Sequence, residues 1–336
     1  MPELIKIALD AMGGDYAPKE PVKAAVKAVS EVEDAHIILV GPEEVIKAEL
    51  SAYTYPEDRI SIRNANEVIS PEESPVKAIR SKKDSSIVVG SNMLRNGEAS
   101  TFISAGSTGA LVAAGALIVG RIKGVERPMI AFELPAKDGN ILVLDCGSAV
   151  DPRPSMIVQF ARMGNLYCKS MMGIEAPRVA LVNIGAESEK GNALTKASHE
   201  LMCECHDFNY TGFIEARDIP LHQADVIVTD AFTGNVILKL YEGMGLLMLN
   251  DLKKILVSNT KAKIGAAILK STLKKSMKRY DMKTYGGAPL LGVKGLVLKT
   301  HGNSDAQSFY NTILQGIDFA RRDVNGQIQE CFRSLQ

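Results

Sequence analysis

The stretch Thr101-Phe-Ile-Ser104-Ala-Gly106-Ser-Thr-Gly109-Ala110 decides the fold. Thr101–Ser104 is a short run without polar alternation, as expected of a strand buried on both faces. Gly106-Ser-Thr-Gly109 is a turn whose hydroxyls suit a helix start. Ala110–Val119 then reads as an apolar helix. The same order recurs along the chain. Ile5–Leu9 runs into Asp10, Gly13, Gly14 and Asp15 before a helical Pro21–Val29. Ile141–Leu144 meets Asp145-Cys-Gly-Ser148 and then Ser155–Met163, and Val179–Val182 meets Asn183–Gly191 and then Asn192–Cys205. Val226–Val228 meets Thr229, Asp230 and Gly234 before Asn235–Gly243, and His36–Val40 ends at Gly41-Pro42 ahead of another helix. Strands alternating with helices predict βαβ units, a mostly parallel sheet and an α/β fold. Ile130–Glu133, the turn at Asp138-Gly139 and Ile141–Leu144 predict one hairpin that interrupts the alternation. A length of 336 residues allows roughly two lobes. No linker stands out, so residues 1–336 are expected to form a single α/β unit.

Ligands of open parallel sheets bind where strand carboxyl ends meet helix N-termini. That rule places Asp10, Ser107, Thr108, Asp145, Asn183, Lys190 and Asp230 on one expected edge. Helix N-termini carry free N–H groups and a positive dipole end, so an anion is the natural ligand. The same Ser, Asp and Asn residues are also the usual capping residues, and that reading stands beside the functional one. Standard signatures are absent: there is no G-x-G-x-x-G, no G-x-x-x-x-G-K-[ST] and no G-x-S-x-G. What remains is chemistry that positions an anion without a stock nucleotide motif. Lys190, in a loop that also carries Glu187 and Glu189 between two glycines, can hold an oxyanion as a compact charge. Asp230 can orient Lys190, accept a proton or cap a helix.

Composition removes other classes. Hydrophobic residues are 46% and charged residues 23%, which is globular rather than disordered. Basic and acidic residues both number 39, and there is no Trp, which argues against a nucleic-acid binder. Five cysteines without regular spacing, no signal-peptide pattern and a longest apolar stretch of Ala110–Gly120 favour the cytoplasm over secretion or membrane span. His199, Cys203 and His206 are spaced to share a helix face, but no fourth ligand is evident, so no metal site is expected. Cys146 lacks an identifiable histidine partner and reads as a small hydrophobe rather than a nucleophile.

Residues 252–280 stand apart. They hold Lys253, Lys254, Lys261, Lys263, Lys270, Lys274, Lys275, Lys278 and Arg279 and no acidic residue. Met248, Leu249, Leu252, Ile255 and Leu256 form one apolar stripe; Ala266, Leu269, Leu273 and Met277 form a second. A basic amphipathic segment spanning 246–284 suits an anionic membrane surface or an acidic partner. Leu252, Ile255, Leu269 and Leu273 are the expected membrane contacts. The alternative is a helical hairpin packed on its own protein or on a twin subunit.

Ile7-Ala-Leu-Asp-Ala-Met-Gly-Gly-Asp15 resembles the N-terminal signature of the PlsX-type phosphate acyltransferases of bacterial phospholipid synthesis. Ser104-Ala-Gly-Ser-Thr-Gly-Ala110, Leu144-Asp-Cys-Gly-Ser148 and Val228-Thr-Asp-Ala-Phe-Thr-Gly-Asn235 continue the resemblance. So do Tyr285-Gly-Gly-Ala-Pro-Leu-Leu-Gly-Val-Lys-Gly295 and His301-Gly-Asn-Ser-Asp305. Departures are small: Ala149 stands where the family pattern has Asn, and Ala186 and Ser188 make the loop before Lys190 less acidic. The resemblance implies a three-layer α/β/α sandwich related to isocitrate and isopropylmalate dehydrogenases and to phosphotransacetylases, with an added helical hairpin. It implies that acyl-[acyl carrier protein] and inorganic phosphate give acyl phosphate and free carrier protein, without a metal or organic cofactor. Lys190 and Asp230 take the catalytic positions. Asp10, Gly13, Gly14, Ser107, Thr108, Gly109, Asp145, Asn183, Asn235 and His301 take substrate or phosphate contacts. Expected partners are the carrier protein, an anionic membrane, a downstream glycerol-phosphate acyltransferase and a second copy of the chain. The competing readings are a phosphotransacetylase-like enzyme using a short acyl-coenzyme A, and a membrane-binding scaffold without turnover.

Overall fold

Burial alternates along the first strand. In β1 (Ile5–Asp10), Ile7 and Leu9 join the core on one side of the sheet and Ala8 the core on the other. The computed structural model describes residues 4–277 and 286–335. Tyr285 of the glycine-rich motif, and Lys278, Arg279 and the remainder of 278–284 in the basic segment, lie outside the described residues. After β1 come α1 (Lys19–Glu31), β2 (Ala35–Gly41), α2 (Glu43–Leu50), β3 (Ile60–Asn64), α3 (Pro75–Ser81), α4 (Ser86–Arg95), β4 (Thr101–Ser104) and α5 (Thr108–Ala114). The middle of the chain holds β5 (Met129–Ala136), β6 (Gly139–Leu144), α6 (Pro154–Tyr167), β7 (Arg178–Val182), α7 (Ala193–Cys203), β8 (Asn209–Ile214) and β9 (Val226–Val228). Then follow α8 (Ala231–Val257), α9 (Thr260–Met277), β10 (Ala288–Leu291), β11 (Leu296–Lys299), α10 (Ala306–Arg321) and α11 (Val324–Ser334). The helices form where apolar residues recur at helical spacing: α1 buries Val22, Ala25, Val26 and Val29.

The strands form one 11-stranded sheet in the order β3-β2-β1-β4-β11-β10-β5-β6-β9-β7-β8. Seven of its ten pairings are parallel, as expected. The other three, β11–β10, β10–β5 and β5–β6, are antiparallel and adjoin one another. Three successive reversals turn the parallel group β6-β9-β7-β8 against the parallel group β3-β2-β1-β4-β11. The strand carboxyl ends of the two groups therefore lie on opposite edges of the sheet. The expectation of one common edge is corrected here. β10 contributes two of the three reversals, which cancel and leave β5 parallel to β11; the reversal that remains is the β5–β6 hairpin itself.

One face carries a continuous core that spans both groups, from Ile7 and Ile37 to Leu144 and Val228, covered by α1, α6 and α10. The opposite face carries two separate cores. One lies over β4 and β10 around Phe102 and Leu290; the other lies over β6 and β9 around Val143, Ile227 and Leu238. Phe132 of β5 is partly buried against both, so the seam between them runs over β5.

Two further expectations change. α7 ends at Cys203, so His206 lies beyond the helix and does not share the face of His199 and Cys203. α8 runs unbroken for 27 residues, past the expected Asn235–Gly243, so the basic segment starts within the far half of a helix rooted in the core. Gly243 and Gly245 sit in it with open space around them, so neither breaks the helix. Ala231, Gly234 and Leu238 are its buried residues. No described side chain from Tyr241 to Met277 is buried, and no helix among the described residues is long and apolar enough to cross a membrane.

Candidate active site

At the edge formed by β6, β9 and β7, Leu144 and Leu181 both pair with Val228. Asp145, Asn183 and Asp230 follow these strand ends directly. Asp145 is fully buried, and its carboxylate accepts N–H bonds from Ile130 (3.0 Å), Gly147 (3.2 Å), Ser148 (3.2 Å) and Ala149 (2.7 Å). Burial pushes its pKa up to about 6, against the pull of those N–H groups. Asp145 thus shapes the 145–149 loop. Ala231 N–H donates to Ala149 O at 2.9 Å, which ties that loop to the start of α8.

Asp230 is the N-cap of α8. Its Oδ1 accepts from Thr233 N–H at 2.9 Å, and its Oδ2 from Thr233 Oγ1 at 2.7 Å. Gly234 is required here by close approach: an added Cβ would lie 2.0 Å from Asp145 O. Gly234→Ala is expected to displace the first turn of α8 and destabilise the fold by about 1–3 kcal/mol, measurable by urea denaturation. Asn183 donates from Nδ2 to Gly185 O and Lys190 O, both at 3.1 Å, and so closes the 185–190 loop. Its buried Oδ1 has no hydrogen-bond partner. Lys190 is half-exposed and its Nζ pairs with Glu187 at 2.8 Å. A surface pair of this kind contributes little and releases easily. Asn192 caps α7 by accepting from Thr195 N–H at 2.8 Å. Cys146 is buried, and burial pushes its thiol pKa well up, so it is a poor nucleophile.

The opposite edge gathers the ends of β1, β4 and β11. Asp10 is buried, and its Oδ2 accepts from Ser104 Oγ at 2.6 Å. Burial raises its pKa. Gly13 allows the chain to pass over this carboxylate: an added Cβ would lie 2.7 Å from Asp10 Oδ2 and 2.9 Å from Gly106 N. Asp15 N–H donates to Gly302 O at 2.7 Å, and Gly14, at φ +96°, packs on the same carbonyl. Ser107 caps α5, Thr108 is exposed, and Gly109 packs on Pro75. Sequence reasoning missed the cation of this edge, Lys299, which ends β11. Its Nζ donates to the carbonyl oxygens of Ala105, at a long 3.4 Å, and Thr300. Desolvation, helped by the nearby Lys239, pulls its pKa down to about 8. The available signal was its position: a lysine closing the apolar run Leu296–Leu298 directly before Thr300-His301-Gly302.

α8 joins the two edges. Asn235, Lys239 and Glu242 recur at helical spacing on one face. Lys239 pairs with Glu242 at 2.9 Å, and Glu242 Oε1 lies 3.0 Å from His301 Nε2. His301 also lies beside Phe132, ring centroids 6.4 Å apart. From Asp230 to Glu242 is twelve helical residues, roughly 18 Å at 1.5 Å per residue. Lys190 and Asp230 therefore share one edge while Asp10, Ser107, Thr108 and His301 share the other, with Asn235 on the helix between. His199 Nδ1 lies 2.8 Å from Tyr210 OH and the ring stacks on Phe213, away from either edge. Among the described residues no group of three His, Cys, Asp or Glu could hold a metal.

The long mixed sheet with helices on both faces is an α/β architecture shared with solved phosphotransacetylases. A phosphotransacetylase from Streptococcus pyogenes superposes with a TM-score of 0.60 at 16% identity, covering 95% of this chain and 94% of that one. EutD phosphotransacetylase from Staphylococcus aureus gives 0.58 at 16% over the same shares. A family profile described as fatty acid synthesis protein matches residues 5–327. A phosphate acyltransferase from Clostridium novyi is 45% identical over 325 residues, which is 97% of this chain and 98% of that one. One from Clostridium botulinum (strain Alaska E43) is 47% identical over 329 residues, 98% and 99%. The chain belongs to the phosphate acyltransferase family and is an enzyme of it.

Proposed function

We propose that the chain transfers a long acyl group from the thioester of an acyl carrier protein to inorganic phosphate, for phospholipid synthesis. A phosphate oxygen attacks the thioester carbonyl, the C–S bond breaks, and the carrier thiolate leaves and takes up a proton. Phosphate is already an anionic nucleophile near neutral pH, so positioning and oxyanion stabilisation are the work left to the protein, with no cofactor. Lys190 steadies the developing oxyanion, and Asp230 orients it or handles the proton. Asp10 and the glycine loops Gly13-Gly14 and Ser107-Thr108-Gly109, with Asn235 and His301, shape the substrate path. A homodimer and delivery of acyl phosphate to a membrane-bound glycerol-phosphate acyltransferase complete this reading.

The observation that carries the choice of a long acyl chain over a short acyl-coenzyme A is the α8–α9 hairpin. Leu246, Met248, Ile255, Ile264, Ile268 and Leu269 are exposed on it beside its lysines. Exposed apolar residues among basic ones suit an anionic bilayer. Of the four contacts expected from sequence, Ile255 and Leu269 are exposed, whereas Leu252 and Leu273 are half-buried. Purified protein should make acyl phosphate from palmitoyl-carrier protein and phosphate faster than from acetyl-coenzyme A; the opposite preference sinks this reading. Ile268→Glu with Leu269→Glu should release the protein from anionic vesicles and spare turnover of soluble substrate. Raised salt should weaken wild-type binding, since each lysine near an anionic surface contributes about 1 kcal/mol that salt screens. Unchanged vesicle sedimentation in both tests assigns the hairpin to a protein contact.

A further inference from the structure

We propose that Lys299, with Lys239, binds a phosphate group between α8 and the loops after β1, β4 and β11. The proposal rests on the phosphate acyl transfer described above. Lys299 is only partly exposed, and among the described residues its ammonium donates to the carbonyl oxygens of Ala105 and Thr300 and to no carboxylate. A second cation, Lys239, stands near it: its partner Glu242 lies 3.0 Å from His301, two residues beyond Lys299. Two neighbouring ammonium groups repel each other, and an anion that joins them removes that cost. Phosphate carries enough charge and acceptor oxygens to meet both. Gly13, Gly14 and Gly106 let the loops after β1 and β4 pack closely beside Lys299, and the Thr108 side chain at the start of α5 is exposed. Burial raises the pKa of Asp10, against the hydrogen bonds it accepts.

Two sources supply a phosphate group in this reaction: free inorganic phosphate and the phosphodiester of the carrier's pantetheine arm. The arm holds its phosphate far from its thioester, and Lys239 stands nine helical residues, roughly 13 Å, from Asp230. Free phosphate, in contrast, has to meet the thioester itself.

The test is calorimetric titration of the full chain with inorganic phosphate and, separately, with 4′-phosphopantetheine. Lys299→Met and Lys239→Gln should each weaken one of them about tenfold or more, the loss expected of a charge-assisted hydrogen bond. Loss of inorganic phosphate, with a raised KM for phosphate alone, makes the acyl acceptor the ligand. Loss of 4′-phosphopantetheine, with a raised KM for the carrier alone, makes the arm the ligand. If both variants fold and bind both probes as wild type does, the proposal is overturned. Lys239 is on the exposed helix surface, so Lys239→Gln remains decisive should Lys299→Met fail to fold. Binding is read without turnover, so a protein that binds phosphate through Lys299 but never transfers an acyl group refutes the functional reading and not this one. Wild-type affinity should also fall as pH rises above about 8, where Lys299 loses its charge. The groups facing it are Asp10 and Asp15 beyond β1 and Lys239 on α8; the anion itself holds the proton on Lys299 and moves the fall to higher pH. A flat profile counts against Lys299.

Discussion

Asp145→Ala should lower the unfolding free energy by about 4 kcal/mol or more, because four backbone N–H groups lose their acceptor and a buried unsatisfied donor costs about 1–3 kcal/mol. That is a large part of an ordinary domain's stability. The damage reaches beyond one loop, since Ala149 O holds Ala231 N–H and Asp145 O faces Gly234 across the start of α8. Asp145→Asn should lose less, because its amide keeps one oxygen acceptor while turning its NH2 towards donors. Chemical denaturation midpoints at constant m-value check the order wild type, Asn, Ala. The group also has a pH signature. Its pKa is raised from 3.8 to about 6, so between those values the native state binds a proton that the unfolded chain does not. Its contribution is fully present below the unfolded value and is lost as pH rises through about 6. The difference between wild type and Asp145→Ala should show that slope between pH 4 and 6; its absence means that the carboxylate stays ionised throughout.

Local grammar was the legible part of this chain. The runs at Ile5, Thr101, Ile141, Val179 and Val226 are all strands, and each is followed by the expected loop and helix, because short apolar runs and glycine turns are properties of a few neighbouring residues. Strand direction across the sheet was not legible. β11 pairs with β4 nearly two hundred residues earlier, and β10 adds two reversals that nothing in Ala288–Leu291 advertises. The rim residues were recognisable one by one, yet their division into two edges depends on those long-range pairings. The caps at Ser107, Asn192 and Asp230 show why function and structure compete for the same letters: each side-chain oxygen accepts from a helix N–H. Lys299 escaped notice because a single lysine after a strand looks like a solvated end. Its meaning comes from Asp10, Asp15 and Lys239, which lie far away in sequence. α8 extends past the expected Asn235–Gly243 because an exposed helix tolerates a glycine such as Gly243 or Gly245 for about 1 kcal/mol each.

Lys190→Ala should reduce turnover about 10²-fold or more, the loss typical of one oxyanion donor. Asp230→Asn should reduce it as well while keeping the fold, since an amide oxygen can still cap α8 by accepting from Thr233 N–H. Asp230→Ala mixes two effects, because it also removes the cap, which alone costs about 1 kcal/mol. The geometry makes the pair a reasonable unit. Asn183 and Asp230 each lie two residues beyond the paired Leu181 and Val228, on strands about 4.8 Å apart, and Asn183 holds the backbone of Lys190. The partner that Lys190 must release is Glu187, an exposed pair of small worth, so substrate can displace it. Glu187→Gln should therefore leave turnover near wild type or raise it, whereas a structural role for the pair predicts a loss. A transition-state role further predicts that Lys190→Ala lowers kcat and kcat/KM together, with the KM for phosphate little changed. Near-normal turnover in both Lys190→Ala and Asp230→Asn moves the chemistry to the opposite edge, where Lys299 and His301 meet α8.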